Sequence, residues 1–494
     1  MDNGCCVPVG EAPNLRRSPV CQPGGRSVHV QAITNNSVLV YPLGTGSVKP
    51  ESLQLANTLW ALLLRHVQSK AMPSISAIGP DTAMFLLSQE GRAAADELQH
   101  APLDDAHLPQ LLNRLRQRFD ANEAGALVTL ARLRRRAASK FPEANQLFFT
   151  AESLEQATAW EVAQQHAAWL DRYTPPGPIL DLGCGIGGDL LALATRRQVV
   201  AYELDPVRAA FAEANTAALG LAGQVAVRTG DWVADLHGGR LPPAAGAFAD
   251  PARRIGERRV FRLDQLQPPI TPLLQLGAVV EALGVKVMPS VQDAELPGGC
   301  GVEFISHQGI CKEAVLWFGP ARWQHKWATI IQDGDAEHIL SDDEAPPLGE
   351  LVPGQLLYEP DPALIRAGCL AWLCRRLNAH LFDPEIAYLV GTAGGGPGPN
   401  HPVHTHVQAF AIEEIHPFAL KLLNQRLQAL GVARVELKKR GFPVEPEALR
   451  PRLKLARQGR DAVVIFTRVA DRDGSSHGDE HLMLIGRRLG GESG

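Results

Sequence analysis

Between Ile179 and Asp189 the chain reads I-L-D-L-G-C-G-I-G-G-D, an apolar run that stops at an acid and enters a turn built on Gly183, Gly185 and Gly187. A strand buried on both faces reads as a continuous apolar run. Glycines then let the backbone turn sharply where a side chain would collide, and the helix that follows offers N–H groups without partners. The order strand, glycine turn, helix predicts the edge of a βαβ sheet open to a nucleotide-containing ligand. Asp181, two residues before the first glycine, narrows that ligand. A dinucleotide would bring a pyrophosphate here, and a carboxylate repels it.

Three more runs follow at ordinary βαβ spacing. Val199 to Glu203 ends in an acid twenty residues beyond Gly183, the separation at which a carboxylate meets a ribose diol, so Glu203 is the expected ribose ligand. Gln224 to Thr229 closes on Gly230-Asp231-Trp232, which places Asp231 to accept from an exocyclic adenine amine and Trp232 to cover the ring. Gly246 to Ala249 ends in Asp250-Pro251, followed by Ala252, Arg253 and Arg254. Polar groups at four strand ends describe a crevice where the strand order of a parallel sheet reverses.

At 494 residues the chain is too long for one core and predicts two or three domains. Its 45% hydrophobic and 20% charged content is that of a globular protein, and no apolar run reaches the ~18 residues a membrane span requires. Cys5, Cys6, Cys21, Cys184, Cys300, Cys311, Cys369 and Cys374 show no CxxC spacing, and the start Met1-Asp2-Asn3-Gly4 lacks a basic, apolar signal. Reduced thiols in the cytoplasm are the expectation. Cys184 reads as a small filler of its turn.

The pattern along the chain divides it into a Gly-, Pro- and Ser-rich flexible leader (1–48), an α-helical domain (49–169), a doubly wound domain (170–320), a connecting segment (321–400) and a small α/β unit (401–488). Leu53, Leu55, Leu59, Trp60, Leu63 and Leu64 form the first helical stripe, and further stripes cover 108–119 and 124–138. Gly301 to Ser306 and Glu313 to Phe318, around Gln308-Gly309, predict a hairpin at the sheet edge. With a net charge of −5, affinity for nucleic acid must come from local patches. Two such patches each sum to +6, at 111–140 and at 434–460, the second containing Lys438, Lys439 and Arg440 at a strand end. His401, His404 and His406 have no fourth partner nearby, so no metal is expected.

At its four strand ends the chain resembles the class I S-adenosylmethionine-dependent methyltransferases. The resemblance implies an α/β, Rossmann-like domain with a seven-stranded, mostly parallel sheet and S-adenosyl-L-methionine as cofactor. It carries the methionine end to Asp181, Gly183, Cys184, Gly185 and Gly187, the ribose to Glu203, adenine to Asp231 with Trp232 beside it, and the methyl-acceptor side to Asp250 and Pro251. Longer stretches, Lys140 to Thr158 and Glu436 to Arg468, are similar to bacterial methyltransferases with a THUMP-like C-terminal domain, over most of 51–488. Their core is in turn similar to the trimethylguanosine synthases, in which a segment corresponding to Phe148, Phe149 and Thr150 helps enclose the cofactor. THUMP-type domains bind RNA in other modification enzymes, so the resemblance implies an RNA partner and methylation of a nucleotide nitrogen.

One departure stands out. Many amino-methyltransferases of nucleic acids carry Asp/Asn-Pro-Pro-aromatic after the fourth strand, whereas this chain has Asp250-Pro251-Ala252-Arg253. No aromatic follows to clamp a base, and arginine cannot serve as one in the acid–base sense. Arg253 and Arg254 instead suit phosphates flanking a target nucleotide. Two other readings stay open on the sequence: a catalytically silent RNA-binding protein that retains the pocket, and an NAD(P)-dependent oxidoreductase.

Overall fold

In the computed structural model the described residues are 78–252, 254–255, 258–259, 262–342, 344–392, 406–470 and 480–489, with the backbone of two strands near the amino terminus. Those two strands, β1 (Val28–Thr34) and β2 (Ser37–Leu43), pair antiparallel within a unit spanning Met1–Ser74, inside the stretch read as a leader. The stripe at 53–64 lies outside the described residues. Everything below belongs to the second unit, Ile75–Gly494.

The helical region comprises α1 (Pro80–Leu87), α2 (Gln89–Glu97), α3 (Leu108–Leu115), α4 (Ala121–Ala137), α5 (Ala151–Gln156) and α6 (Trp160–Tyr173). Asp120 starts α4 through a reciprocal capping box with Glu123, which satisfies donors at the helix end that have no partner within it. The doubly wound part follows: β3 (Ile179–Leu182), α7 (Gly188–Ala194), β4 (Val199–Glu203), α8 (Pro206–Ala218), β5 (Val225–Thr229), α9 (Trp232–His237), β6 (Gly246–Ala249), a short pair β7 (Arg254–Ile255) and β8 (Arg258–Arg259), then α10 (Ile270–Leu276) and β9 (Ala282–Val287). Leu127, Leu130, Phe148 and Phe149 share one core with Ile186, Leu191 and Phe211, so the helical region is seated on α7 and α8.

The large sheet has nine strands, two more than expected. β10 (Gly301–His307) and β11 (Ile310–Phe318) form the anticipated hairpin, and β12 (Lys326–Gln332) and β13 (Asp335–Leu340) extend the sheet to the order β13-β12-β10-β11-β9-β6-β3-β4-β5. Pairing is parallel from β9 through β6, β3 and β4 to β5, with antiparallel pairs around β11 and at β13. Of the stretch expected to be a connecting segment, 321–400, the described residues up to 392 belong to two sheets. Its first part completes this sheet, and its second builds the next one, in β14 (Gln355–Pro360), α11 (Pro362–Ala367), α12 (Leu370–Leu377), β15 (Ala379–Leu381) and β16 (Leu389–Thr392).

These join β17 (Val407–Pro417), α13 (Leu420–Ala429), β18 (Val432–Lys439), α14 (Pro446–Leu449), β19 (Arg460–Val469) and β20 (Glu480–Leu489) in a seven-stranded sheet ordered β15-β16-β14-β17-β20-β19-β18. Leu364, Ala367 and Leu373 share a core with Val285, Leu316 and Ile330, so the apolar faces of α11 and α12 weld the second sheet to the first. No helix among the described residues is long and apolar enough to cross a membrane.

Candidate active site

The carboxyl ends of β3, β4 and β6 enclose a cavity of about 580 Å³. Gly183 (φ +87°) could not be replaced without strain, because a Cβ there would meet the carbonyl oxygen of Asp250 at 2.8 Å. That absence of a side chain brings the first and fourth strand ends together. Gly185 (φ +58°) faces the opposite situation: a Cβ would enter open space, the cavity itself. Gly187, at φ +103°, is the residue from which α7 departs. Cys184 lines the cavity, and burial, with Asp181 and Glu203 nearby, pushes its thiol well above the usual range.

Glu203 is 5% exposed and braces the glycine turn. Its Oε2 accepts from the Gly185 backbone N–H at 2.9 Å, and its Oε1 accepts from Asp205 N at 2.9 Å and Arg208 Nη2 at 2.8 Å. Trp232 is buried in the cavity wall, and Leu204, 68% exposed, forms an apolar lip on the same side. Asp231 lies between Gly230 and Trp232, which both line the cavity. It is exposed, absent from the cavity wall, and its Oδ1 accepts from Val233 N at 2.8 Å to cap α9. Phe149 is fully buried against Phe141 in the helical core, and Thr150 caps α5 through Ser153. These two shape the cavity at one remove, because α5 and the residues after it, from Ser153 to Thr158, supply much of that wall. Asp181 is buried beneath the turn with Oδ2 lacking a hydrogen-bond partner, and burial, followed by Asp189 and Asp250, holds its carboxyl well above the usual range.

Asp250 and Pro251 line the opposite wall with Ala252, Pro268, Leu273 and Met288. Behind Asp250 lies a cluster that reading along the chain did not reveal. Lys286, 2% exposed in β9, donates to Asp250 Oδ2 and to Thr158 Oγ1, each at 2.7 Å. Thr158 Oγ1 donates in turn to Asp189 Oδ2 at 2.6 Å. Asp189 Oδ1 accepts from His166 Nδ1 at 2.8 Å, and His166 Nε2 faces Glu313 Oε1 at 3.0 Å. His166 is fully buried and stacked 4.5 Å from Phe248. A carboxylate lies beside each ring nitrogen, bonded at Nδ1 and at ion-pair distance from Nε2, and although burial opposes the charge, Glu313 and Asp189 push the imidazole up to about 10. Burial likewise opposes charge on Lys286, and Asp250, Glu313 and Asp189 more than offset it, holding the ammonium above its ordinary range. Burial would raise Asp189, but Lys286 and His166 bring it down to about 2. The sequence held one clue: Lys286 interrupts the fully buried run Ala282 to Val287, where a charge persists only if paired.

The basic candidates fare differently. Arg253 lies outside the described residues, and Arg254 is described only as backbone in β7. Lys438 bonds Glu359 and Gln408, Lys439 bonds Glu445, and Arg440 donates to the carbonyl of Ala387 and lies over the Tyr388 ring. Glu359 comes from β14, far from 434–460 in sequence, so the charge summed along that stretch overstates what faces solvent. Within the same patch Arg452, Lys454 and Arg457 are exposed. In the first patch Arg132 and Arg135 donate to carbonyls at 99–103, Arg134 to Leu147, and Lys140 to Leu154 and Glu155, all tying the helical region together. No group of three or more candidate metal ligands occurs among the described residues; His406 bonds Glu337, and His401 and His404 lie outside them.

The family model of THUMP domain-like sequences matches residues 407–488, and one for a domain of unknown function (DUF8688) matches 79–137. An uncharacterised S-adenosylmethionine-dependent methyltransferase of Mycobacterium tuberculosis, found in two strains, is 34% identical over 369 residues, covering 72% of this chain and 95% of the relative. A Porphyromonas gingivalis protein with a crystal structure described as that of a methyltransferase superposes with a TM-score of 0.59 at 19% identity, over 82% of this chain and 99% of the other. That likeness shows a shared fold. The Mycobacterium match shows that the chain belongs to the S-adenosylmethionine-dependent methyltransferases, and the family model places a THUMP-like domain at 407–488.

Proposed function

We propose that the enzyme methylates a nitrogen of an RNA nucleotide. The observation that carries this reading is the THUMP-like match at 407–488, joined through the shared core to the catalytic sheet. On that reading the exposed Arg452, Lys454 and Arg457 meet phosphates, in place of the internally bonded Lys438, Lys439 and Arg440.

The cavity's donor set fits the cofactor. The turn at Gly183, Cys184, Gly185 and Gly187 leaves room that a side chain would fill, Glu203 keeps acceptor capacity for a sugar diol, and Trp232 with Leu204 offers apolar surface for a ring. The bound cofactor supplies a methyl group on a sulfonium, a leaving group already in place. What remains for the chain is alignment, which can contribute roughly 7–11 kcal/mol when nucleophile and methyl are held about 3 Å apart and in line. Asp250, at the strand end beside the glycine turn, accepts a hydrogen bond from the N–H of the incoming nitrogen and so directs its lone pair toward the methyl. The wall of Pro251, Pro268, Leu273 and Met288 excludes water and takes the flat face of a base without an aromatic clamp.

Labelled methyl incorporation into total RNA from a strain lacking the protein tests the reading. Wild type incorporates label, and Asp250→Ala, with calorimetric affinity for S-adenosylmethionine retained, loses it by about a hundredfold or more, the cost of lost alignment. Unimpaired transfer by Asp250→Ala removes Asp250 from the site; no incorporation into any RNA by folded, cofactor-binding wild type removes RNA as the substrate.

A further inference from the structure

The buried cluster behind Asp250 is larger than holding the fold requires. Lys286, His166, Asp189, Glu313 and Thr158 come from β9, α6, α7, β11 and the loop between α5 and α6, and they gather around Lys286, which alone among them bonds Asp250, a carboxylate facing the cavity. Buried ion pairs contribute little net stability compared with apolar packing of the same volume, so a cluster of this size calls for a reason other than stability. Its arrangement gives one. Lys286 does not line the cavity; Asp250, Thr158 and Asp189 do. The ammonium therefore sits one layer back, with two of its three donors committed to Asp250 and Thr158.

We propose that Lys286 is a positioning residue for methyl transfer: it pins Oδ2 of Asp250 from behind and so presents that carboxylate to the acceptor nitrogen as a fixed, anionic hydrogen-bond acceptor. This rests on the reading above that Asp250 meets the acceptor. His166 has a complementary task. Asp189 and Glu313 each lie 3.8 Å from Lys286 Nζ and would otherwise compete for it; the imidazolium between them holds both at its ring nitrogens, leaving the shortest ion pair of Lys286 to Asp250. Among the described residues, Asp189 and Glu313 bear on Lys286 besides Asp250, Asp181 lies near Asp250 and Lys286, His166 acts through Asp189 and Glu313, and Lys140 is a more distant cation.

A chemical consequence follows for the proton. A carboxylate held against an ammonium is a weak base, because protonating it would strand the ammonium in a dry site. Asp250 then orients the N–H and does not keep its proton; when the N–CH₃ bond forms and the S–CH₃ bond breaks, the electron pair leaves on sulfur and the proton on nitrogen passes to solvent through the cavity mouth. An acceptor suited to such a site is a conjugated exocyclic amine, which has an N–H for Asp250 to hold and whose methylated cation sheds that proton to water without a strong base.

The test has two arms. In the first, the Asp250 carboxyl is followed by carbon NMR of aspartate-labelled protein, identified by its loss in Asp250→Asn. In Lys286→Met it titrates at higher pH than in wild type; an unchanged titration overturns the proposal whatever the substrate. Should Lys286→Met not fold, Lys286→Gln supplies a neutral donor of similar length for the same measurement. In the second arm, methyl incorporation into total RNA from a strain lacking the protein falls about a hundredfold in kcat for Lys286→Met. KM for RNA and calorimetric affinity for S-adenosylmethionine stay within about threefold of wild type, because uniform binding is untouched. Added ethylamine restores part of the rate to Lys286→Ala. Loss of cofactor affinity together with rate, unrelieved by ethylamine, would make Lys286 merely structural. A shifted Asp250 titration in a protein whose wild type methylates no RNA would instead leave the positioning role standing and remove the RNA reading.

Discussion

Two ion-pair networks in this molecule use the same residue types for opposite ends. In the C-terminal sheet, Arg434 pairs with Asp461, Lys439 with Glu445, Arg450 with Glu447 and Arg460 with Glu413, mostly at the solvent edge. Behind the catalytic cavity, Lys286 and His166 face Asp250, Asp189 and Glu313 with His166 wholly inaccessible and Lys286 2% exposed. Water screens the first set, and each member can leave its partner at little cost. In the second set Lys286, His166, Asp189 and Glu313 are buried, so each of these four bears on the charge and orientation of its neighbours. Burial, and not the count of charges, separates a surface from a site.

The strongest way to break that contrast is His166→Leu. Removing the imidazolium strands Asp189 and Glu313 opposite each other, and breaking a buried pair in this way costs ~3–5 kcal/mol. The midpoint of thermal unfolding should fall sharply while the C-terminal pairs remain intact. The wild-type pH dependence carries the same signature. The imidazole is pushed up to about 10 when folded and lies near 6.5 when unfolded, so its contribution is fully present below about pH 6.5 and is lost as pH rises through about 10. Asp189, brought down to about 2 from an ordinary 3.8, contributes above about pH 3.8 and loses that as pH falls through about 2. Unfolding midpoints between pH 6 and 10.5 should decline more steeply in wild type than in His166→Gln; parallel curves would show the histidine to be neutral.

Between the extremes stands Glu203, buried at the tip yet bonded to Arg208, which is 33% exposed. Glu203→Gln replaces one acceptor oxygen by an amide that cannot accept from both Gly185 N–H and a sugar hydroxyl. Hydrogen bonds to a charged group are worth about 1.5–3 kcal/mol, so cofactor affinity should weaken roughly 10- to 150-fold in calorimetry. A smaller change would mean that Arg208 already occupies the acceptor capacity of this carboxylate.

How far the sequence led depended on how local the signal was. The glycine turn was legible because strand, turn and helix sit within eleven residues and each glycine answers a local steric demand at Gly183 or Gly187. The segment 321–340 was hidden by its acidic, Pro-containing surroundings, although Lys326–Gln332 is a nearly continuous apolar strand of the large sheet. An acid that opens a helix is ambiguous by nature: Asp231 suits an adenine amine on the sequence, and in the structure one oxygen of its carboxylate caps α9. The Lys286 cluster was illegible for a different reason. Its members at 158, 166, 189, 250, 286 and 313 lie on separate elements, and nothing but the folded sheet brings them within 4 Å of one another's charges.

The smallest expected effect sharpens the contrast from the other side. Lys439 bonds Glu445 at 2.5 Å, but Glu445 is 73% exposed, so Lys439→Ala should alter stability by no more than ~1 kcal/mol and less as salt is added. If the domain binds RNA as proposed, the same substitution should barely change the salt dependence of that binding, because a lysine already paired with a carboxylate releases few counterions on meeting a phosphate. Lys454→Ala, at an exposed position of the same domain, should lower the slope of log affinity against log salt by about 0.7 to 0.9, the share of a single neutralised phosphate. If Lys439 and Lys454 prove equal in filter-binding titrations across salt, the pairing with Glu445 gives way when RNA arrives, and the surface network is a displaceable cover over a phosphate track.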